Sequence, residues 1–198
     1  VWAPCSGESG GWGSGTVVSN LGFILTSNRD IPKSRSVSTN PELHNINNKK
    51  IVFPTDPEGG GSWIATQKYF TGCILNHQGR ENNQEFRSRG ELLINSMASD
   101  MCYTEKKGFE KKYKPFIFIV ISIQNTIPIL KSYYWDGNKL EKKDVDGSKI
   151  NIWVSNTIYS DEEQKVIINK FKKIPQNELN EDTMYDLHMK SILKKKNT

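Results

Sequence analysis

An arginine and an aspartate follow a β-rich segment near the start of the chain and could form a charged site. Asn28, Arg29 and Asp30 come directly after the run 23–27. A guanidinium at a strand end can bind a carboxylate of a substrate or of the protein itself. A buried structural ion pair that holds the turn before Pro32 explains the same residues equally well, so both interpretations stay open.

Two asparagines end β-rich stretches next to turns. Asn76 follows the run 69–75, and Asn156 follows the run 150–155. A side-chain amide in such a place can donate to a developing oxyanion. The commoner role of a single asparagine is to satisfy a turn through its own backbone. Asn156 is the stronger of the two candidates.

A glycine-rich loop leads into a tryptophan. Gly60 and Gly61 precede Ser62 and Trp63. The glycines permit unusual dihedral angles or close approach of a ligand, and Trp63 could line an apolar pocket. A tight turn with a tryptophan in the core is the simpler interpretation. Arg89, at the start of a predicted helix, could face an anionic ligand or a nearby carboxylate.

The cysteines and histidines do not form a recognisable catalytic or metal-binding pattern. The three cysteines have no regular spacing, which favours a reducing, cytoplasmic location over a disulfide framework: Cys5, Cys73 and Cys102. The three histidines lack the spacing of metal ligands: His44, His77 and His188. We therefore expect no metal site and no cofactor.

Charge and hydropathy point away from nucleic acids and from a membrane span. The net charge is +5, and much of the excess lies in two lysine clusters, at 106–114 and 190–196. Such runs are typical of solvated faces or tails, whereas a nucleic-acid surface is usually rich in arginine and aromatic residues. The longest apolar run, 116–123, is too short to cross a bilayer. The sequence indicates no oligomeric state.

The pattern of elements predicts one α+β domain with antiparallel sheets. Hairpin-like strand pairs lie on both sides of a helix, which does not fit βαβ units. The predicted strands are 16–27 (a hairpin), 50–53, 62–66, 69–76, 116–123, 129–135 and 150–155. The predicted helices are 90–101, 160–173 and, more weakly, 182–193. Ser160 and Glu163 form a capping box at the start of the second helix.

Composition divides the chain into three parts. Residues 1–15 are rich in glycine and serine and read as a flexible leader. Residues 16–193 form the predicted domain, and residues 194–198 form a basic tail.

An ordered set of motifs resembles the NRDE family, also called the transport and Golgi organisation family. The motifs, in order, are Phe23-Ile24-Leu25-Thr26-Ser27-Asn28-Arg29-Asp30, Ser34-Arg35, Gly60-Gly61-Ser62-Trp63-Ile64-Ala65, Ile74-Leu75-Asn76, Ser88-Arg89-Gly90, Trp135-Asp136-Gly137 and Ile152-Trp153-Val154-Ser155-Asn156-Thr157-Ile158-Tyr159. The resemblance covers about residues 16–190. It implies two stacked antiparallel sheets between helical layers, as in N-terminal-nucleophile hydrolases. Because family members usually continue with further strands, we expect the fold to be incomplete at the C-terminus.

The resemblance also implies a chemistry and a set of site residues. In hydrolases of this fold an N-terminal Cys, Ser or Thr attacks an amide carbonyl, and its own α-amino group acts as the base. Family roles are described in terms of Golgi organisation, lipid metabolism and haem trafficking. The implied catalytic residues are Arg29, Asp30, Asn76 and Asn156. The implied ligand-binding residues are Asn28, Trp63 and Arg89.

The chain departs from the family pattern where the nucleophile is expected. Gly15 precedes Thr16, where the family has its cysteine, and Cys5 lies farther upstream with four residues before it. Ile31 replaces the usual acidic residue after Asp30. Two functions from different classes follow. One is an amide (C–N) hydrolase scaffold in which catalysis is not expected, and the other is a non-catalytic binding or trafficking factor for haem or an acyl lipid.

Overall fold

The computed structural model describes residues 13–19, 23–29, 36–80, 85–175, 178, 180 and 182–184. A two-stranded antiparallel sheet opens the fold, with strands β1 (Gly13–Ser19) and β2 (Phe23–Arg29). A seven-stranded sheet follows, with strands β3 (Glu42–Ile46), β4 (Lys49–Phe53), β5 (Ile64–Gln67), β6 (Phe70–Asn76), β7 (Phe116–Gln124), β8 (Ile127–Trp135) and β9 (Leu140–Val145). The helices are α1 (Arg89–Ala98) and α2 (Asp161–Lys172).

The large sheet is an antiparallel meander. Its strands lie side by side in sequence order, from β3 to β9, and α1 is inserted between β6 and β7. Short turns make this order possible. Between β7 and β8, Asn125 and Thr126 both have positive φ, 49° and 69°. Two left-handed residues in a two-residue loop match the twist of the flanking strands.

Strand β7 is apolar on both faces because both faces of the sheet are covered. Phe116, Phe118 and Val120 belong to the core under α1. The alternate residues belong to a second cluster on the opposite face: Ile117, Ile119 and Ile121. Leu25 of β2 joins that second cluster, so the small sheet is stacked on the large one. The predicted α+β class with antiparallel sheets is confirmed.

Both principal helices form near their predicted places. Helix α1 buries Leu92, Leu93 and Met97 completely against the sheet. It ends before Met101, which is left-handed at φ 68° and donates its N–H to the Ser96 carbonyl at 2.8 Å.

Helix α2 begins with the predicted capping box. The Ser160 backbone N–H donates to Glu163 Oε2 at 2.8 Å, and the Glu163 N–H donates to Ser160 Oγ at 3.3 Å. These two bonds satisfy donors that the first helical turn leaves without partners.

The prediction of a strand at 150–155 is wrong. This run has no regular secondary structure, and its side chains are half-buried over the cavity described below. The place beside β8 is taken by β9, whose sequence Leu-Glu-Lys-Lys-Asp-Val carries no strong strand pattern. Its charged residues include Asp144, which forms an exposed ion pair with Lys131 of β8 at 3.8 Å. Strand β3 was not predicted either.

Strand β1 begins at Gly13, so residues 13–15, which composition groups with the leader, pair with β2. Residues 1–12, most of the predicted helix 182–193 and the tail 194–198 lie outside the described residues. Within the described ranges no helix is long and apolar enough to cross a bilayer.

Candidate functional site

A cavity of about 1180 Å³ lies on the face of the large sheet that carries the small sheet. Its apolar wall comes mainly from strands β2, β6, β7 and β8 and from the irregular run after β9: Leu25, Cys73, Ile119, Ile121, Leu130 and Trp153. Ligand pockets commonly measure about 300–1,000 Å³. The cavity is therefore large enough for a bulky organic ligand.

Arg29 is the buried charge of this cavity. Leu25, Ser27 and Arg29 alternate along β2 and point to the same side, where all three line the cavity. The Arg29 side chain is 7% exposed. Its Nη2 lies 2.7 Å from Oδ2 of Asp56, and its guanidinium carbon lies 5.4 Å from the centroid of the Trp63 ring. The charge is thus held between a carboxylate and an aromatic face.

The pair between Arg29 and Asp56 is a charge contact that leaves the guanidinium poorly hydrogen-bonded. Neither Nη1 nor Nη2 reaches an acceptor among the described residues with hydrogen-bond geometry. A buried guanidinium is costly unless acceptors meet its N–H groups. Arg29 is therefore a buried cation whose Nη groups have no hydrogen-bond acceptor among the described residues.

Asp56 is positioned by the loop after β4. Its backbone N–H donates to the Gly61 carbonyl at 2.8 Å, and its carbonyl accepts from the Gly60 N–H at 2.9 Å. Gly60 has a φ of +65°, which favours glycine. The glycine-rich loop thus closes on Asp56 and directs its carboxylate toward Arg29.

The same loop crosses the start of α1 at van der Waals contact. A Cβ on Gly61 would lie 2.5 Å from the backbone carbon of Gly90, so only glycine fits there. The Ser62 hydroxyl donates to the Ile64 carbonyl at 2.8 Å and fixes the turn into β5. Trp63 follows, 8% exposed, with its indole ring under Arg29.

Basic residues at the start of α1 and just before β7 form another part of the cavity wall. Arg87, Arg89 and Lys114 all line it. Arg89 Nη1 donates to the Pro115 carbonyl at 3.0 Å, and Arg87 forms an ion pair with Glu91 one helical turn on. The cations of the cavity wall thus come from several parts of the fold, since Lys149 after β9 lines it too and forms an ion pair with Asp146.

The two candidate asparagines lie at neighbouring loops but differ in role. Asn76 lines the cavity at the end of β6, and its carbonyl accepts from the Ser155 hydroxyl at 2.8 Å. Asn156 is not among the lining residues, and its Oδ1 accepts from the Gln78 backbone N–H at 2.7 Å. The amide of Asn156 satisfies backbone in this structure, as a structural asparagine does.

The structure therefore brings together four of the seven predicted site residues: Arg29, Trp63, Asn76 and Arg89. Asn28 pairs with Ser14 through the backbone of β2, and its side chain lies outside what the structure describes. Asp30 lies outside the described residues as well.

The motifs around this cavity are those of a known family. A family model described as Transport and Golgi organisation 2 matches residues 16–198. The chain belongs to this family. No protein among the curated ones matches it.

In this member of the Transport and Golgi organisation 2 family the cavity holds a thiol, but not a reactive one. Burial raises the pKa of Cys73 to about 12, and the neighbouring Ser27 hydroxyl offsets only part of that rise. The thiolate is the nucleophilic form of cysteine. Cys73 is therefore protonated at neutral pH and acts as a small apolar wall residue.

Sequence reasoning missed several residues of this family member's cavity. Asp56 is the partner of Arg29, although it lies 27 positions away along the chain (56 minus 29). Its only local signal is its place before the glycine-rich loop. Arg87 and Lys114 carried no motif that would single them out from other surface cations. Among the described residues no cluster of His, Cys, Asp and Glu could hold a metal ion.

Proposed function

We propose that this family member binds an amphipathic anion of the acyl-lipid type in the cavity and does not hydrolyse it. One observation carries the proposal. Arg29 is a buried guanidinium, with its side chain 7% exposed, in a cavity that also has an extended apolar wall.

The arginine end suits the head of such a ligand. The Nη atoms of Arg29 lack acceptors in hydrogen-bond geometry among the described residues, and Asp56 balances their charge through contact alone. A carboxylate can accept two parallel N–H bonds from one guanidinium. The ligand head would supply the acceptors that the protein does not.

The apolar wall suits the body of the ligand. Ile119, Ile121 and Leu130 line the cavity from two adjacent strands. Each methylene that leaves water contributes about 0.8 kcal/mol. An acyl chain along this wall would gain most of its affinity there, while the head fixes its orientation.

The state of Cys73 favours binding over acyl transfer. Among the described residues, Cys73 is the cysteine that lines the cavity, and its pKa is raised to about 12. A thiol in this state cannot attack a carbonyl at neutral pH.

Fatty-acid titration tests the proposal. We would add palmitate to the chain and follow tryptophan fluorescence, to which Trp63 and Trp153 in the wall should respond. Arg29→Gln with Asp56→Asn removes the ion pair without leaving an unpaired carboxylate, and it should weaken binding about 10- to 100-fold. Arg80→Gln, at an exposed position outside the cavity, is the control. Palmitate affinity that is equal in the double variant and the wild type would contradict the proposal.

Haem is tested in the same experiment. Haem is added to the protein, and its Soret band is recorded. A shift of this band, together with displacement of bound palmitate by haem, would assign the cavity to haem. Binding of palmitate without a haem response assigns it to acyl chains.

Amide hydrolysis remains a second candidate because of the register of the first hairpin. Gly13 pairs with Arg29, and Gly15 pairs with Ser27. The first residues of β1 thus lie beside Arg29, where hydrolases of this fold carry their nucleophile. Mass spectrometry of the N-terminus of the native protein tests this candidate. A mature chain that begins with Cys would favour hydrolysis.

A further inference from the structure

Residues 102–114 connect α1 to β7 and carry a cluster of five exposed lysines, here called the basic surface: Lys106, Lys107, Lys111, Lys112 and Lys114. Glu105 and Glu110 are the acidic residues of the same segment. The sequence alone assigns such a run to a solvated face. The structure adds three observations that bear on this interpretation.

The first observation is that the backbone under the lysines is anchored. The segment forms two 3-10 turns, Cys102–Glu105 and Phe109–Lys112. Thr104, Phe109 and Tyr113 are buried at 2%, 3% and 0% exposure. The Tyr113 hydroxyl is 2.9 Å from that of Tyr103, and its carbonyl accepts from Trp135 Nε1 at 3.0 Å. The lysines therefore project from a fixed frame.

The second observation is that three of the five lysines have no acidic partner in the described part of the chain. Among the ion pairs of the described residues, none includes Lys106, Lys107 or Lys112. Lys142 of β9 adds a further cation at the edge, since its Nζ lies 3.3 Å from the Thr104 carbonyl. The field of the segment is thus positive.

The third observation is that the basic surface is continuous with the cavity. Lys114 is both exposed and part of the cavity wall. The Arg87 N–H donates to the Lys112 carbonyl at 2.9 Å, which joins the surface to the start of α1. Positive charge therefore extends from the outer lysines to the rim of the cavity.

We propose that the basic surface docks this protein on a bilayer that contains anionic lipids. Lysine is a point charge that needs no fixed partner geometry, so it suits laterally mobile headgroups. Single-stranded nucleic acid usually requires exposed aromatic rings for base stacking. Phe109 and Tyr113 are buried, and Tyr103 is half-buried against the same core with Lys106 over its ring. None of these three rings is exposed for base stacking. The proposal does not depend on which ligand fills the cavity.

Vesicle sedimentation tests the proposal with the full 198-residue chain. One set of vesicles is phosphatidylcholine, and the other contains about one third phosphatidylserine. The triple variant Lys106→Gln, Lys107→Gln and Lys112→Gln should bind the anionic vesicles about 10- to 100-fold more weakly than the wild type. High salt should also weaken the binding of the wild type to the anionic vesicles.

A matched variant controls for net charge. Lys165, Lys172 and Lys173 are exposed on or next to α2, and their replacement by Gln removes the same charge elsewhere. This control should keep most of the binding. Equal losses in both triple variants, or equal binding to both kinds of vesicle, would overturn the proposal. Loss of single-stranded RNA binding with unchanged vesicle binding in the first variant would also overturn it, in favour of a nucleic-acid partner.

The vesicles contain no free fatty acid, so the outcome is separate from that of the palmitate titration. Failure to bind vesicles leaves the cavity proposal intact, and failure to bind palmitate leaves the docking proposal intact.

Discussion

The two faces of the seven-stranded sheet are built from the same strands but packed to different degrees. On one face α1 and the segment after it pack over Phe116, Phe118 and Val120, which are all buried. On the other face the alternate residues Ile119 and Ile121 border a cavity of about 1180 Å³. One face is a closed core, and the other is a partly filled space with a buried arginine.

This difference separates stability from function within one sheet. Close packing supplies most of the hydrophobic stabilisation of a domain. An apolar wall that faces empty volume contributes less, because its side chains have fewer neighbours. A buried cation in such a space is a cost that a ligand can relieve. The cavity face is therefore where we expect binding, and the α1 face is where we expect sensitivity to truncation.

The largest expected effect comes from a truncation in the closed core. Phe118→Ala should lower the free energy of unfolding by about 3–5 kcal/mol, because Phe118 is fully buried under α1. Urea denaturation followed by circular dichroism measures the change. Ile121→Ala on the cavity face is the comparison and should cost less. Equal costs for the two variants would mean that the faces do not differ in packing.

The next effect concerns the loop that supports the cavity. Gly61→Ala should lower the free energy of unfolding by about 1–3 kcal/mol, since its Cβ would meet the backbone of Gly90 at 2.5 Å. The loop must move to relieve this clash, and the movement should also change the fluorescence of Trp63. Gly147→Ala is the control, because its Cβ would meet only Leu130 at an ordinary 3.8 Å. A neutral Gly61→Ala would show that the crossing can widen without cost.

A smaller effect is expected at the start of α2, which contributes Ile167 and Phe171 to the cavity wall. Ser160→Ala removes the capping box and should cost about 1 kcal/mol. Hydrogen exchange should increase in the first turn of α2 and remain unchanged in α1. Ser160→Asp keeps an acceptor at the cap and should restore protection. Increased exchange in both helices would contradict a local effect.

The smallest effect is a pH dependence at the strand end beside the cavity. Burial lowers the pKa of His77 from its ordinary 6.5, although Asn156 and Asp136 oppose the shift. The folded state binds a proton on His77 less tightly than the unfolded chain does. His77 therefore contributes to the free energy of unfolding at pH values above its unfolded pKa. This contribution is lost as the pH falls through the folded pKa.

Chemical denaturation of the wild type and His77→Gln between about pH 7 and pH 5 checks this. The wild type should lose more stability than the variant over that range. Parallel curves for the two proteins would exclude His77 as the source.

Sequence patterns predicted the elements whose signals are local. The apolar run of β7, the stripe of α1 and the capping box of α2 all depend on residues close together in the chain. The strand at 150–155 was predicted from its β-branched residues, but β9 occupies the edge of the sheet beside β8. Propensity for a strand does not decide which segment obtains a pairing partner. The polar strands β3 and β9 escaped prediction for the same reason.

By itself the sequence determined that this is an α+β protein with antiparallel sheets and that Arg29 stands at a strand end. It also carried the ordered motifs of the Transport and Golgi organisation 2 family. Only the tertiary structure decided that Arg29 is buried, that its partner is Asp56 and that the basic surface reaches the cavity rim. Alternation and capping are encoded over a few residues, whereas an ion pair and a cavity require segments that only folding brings into contact.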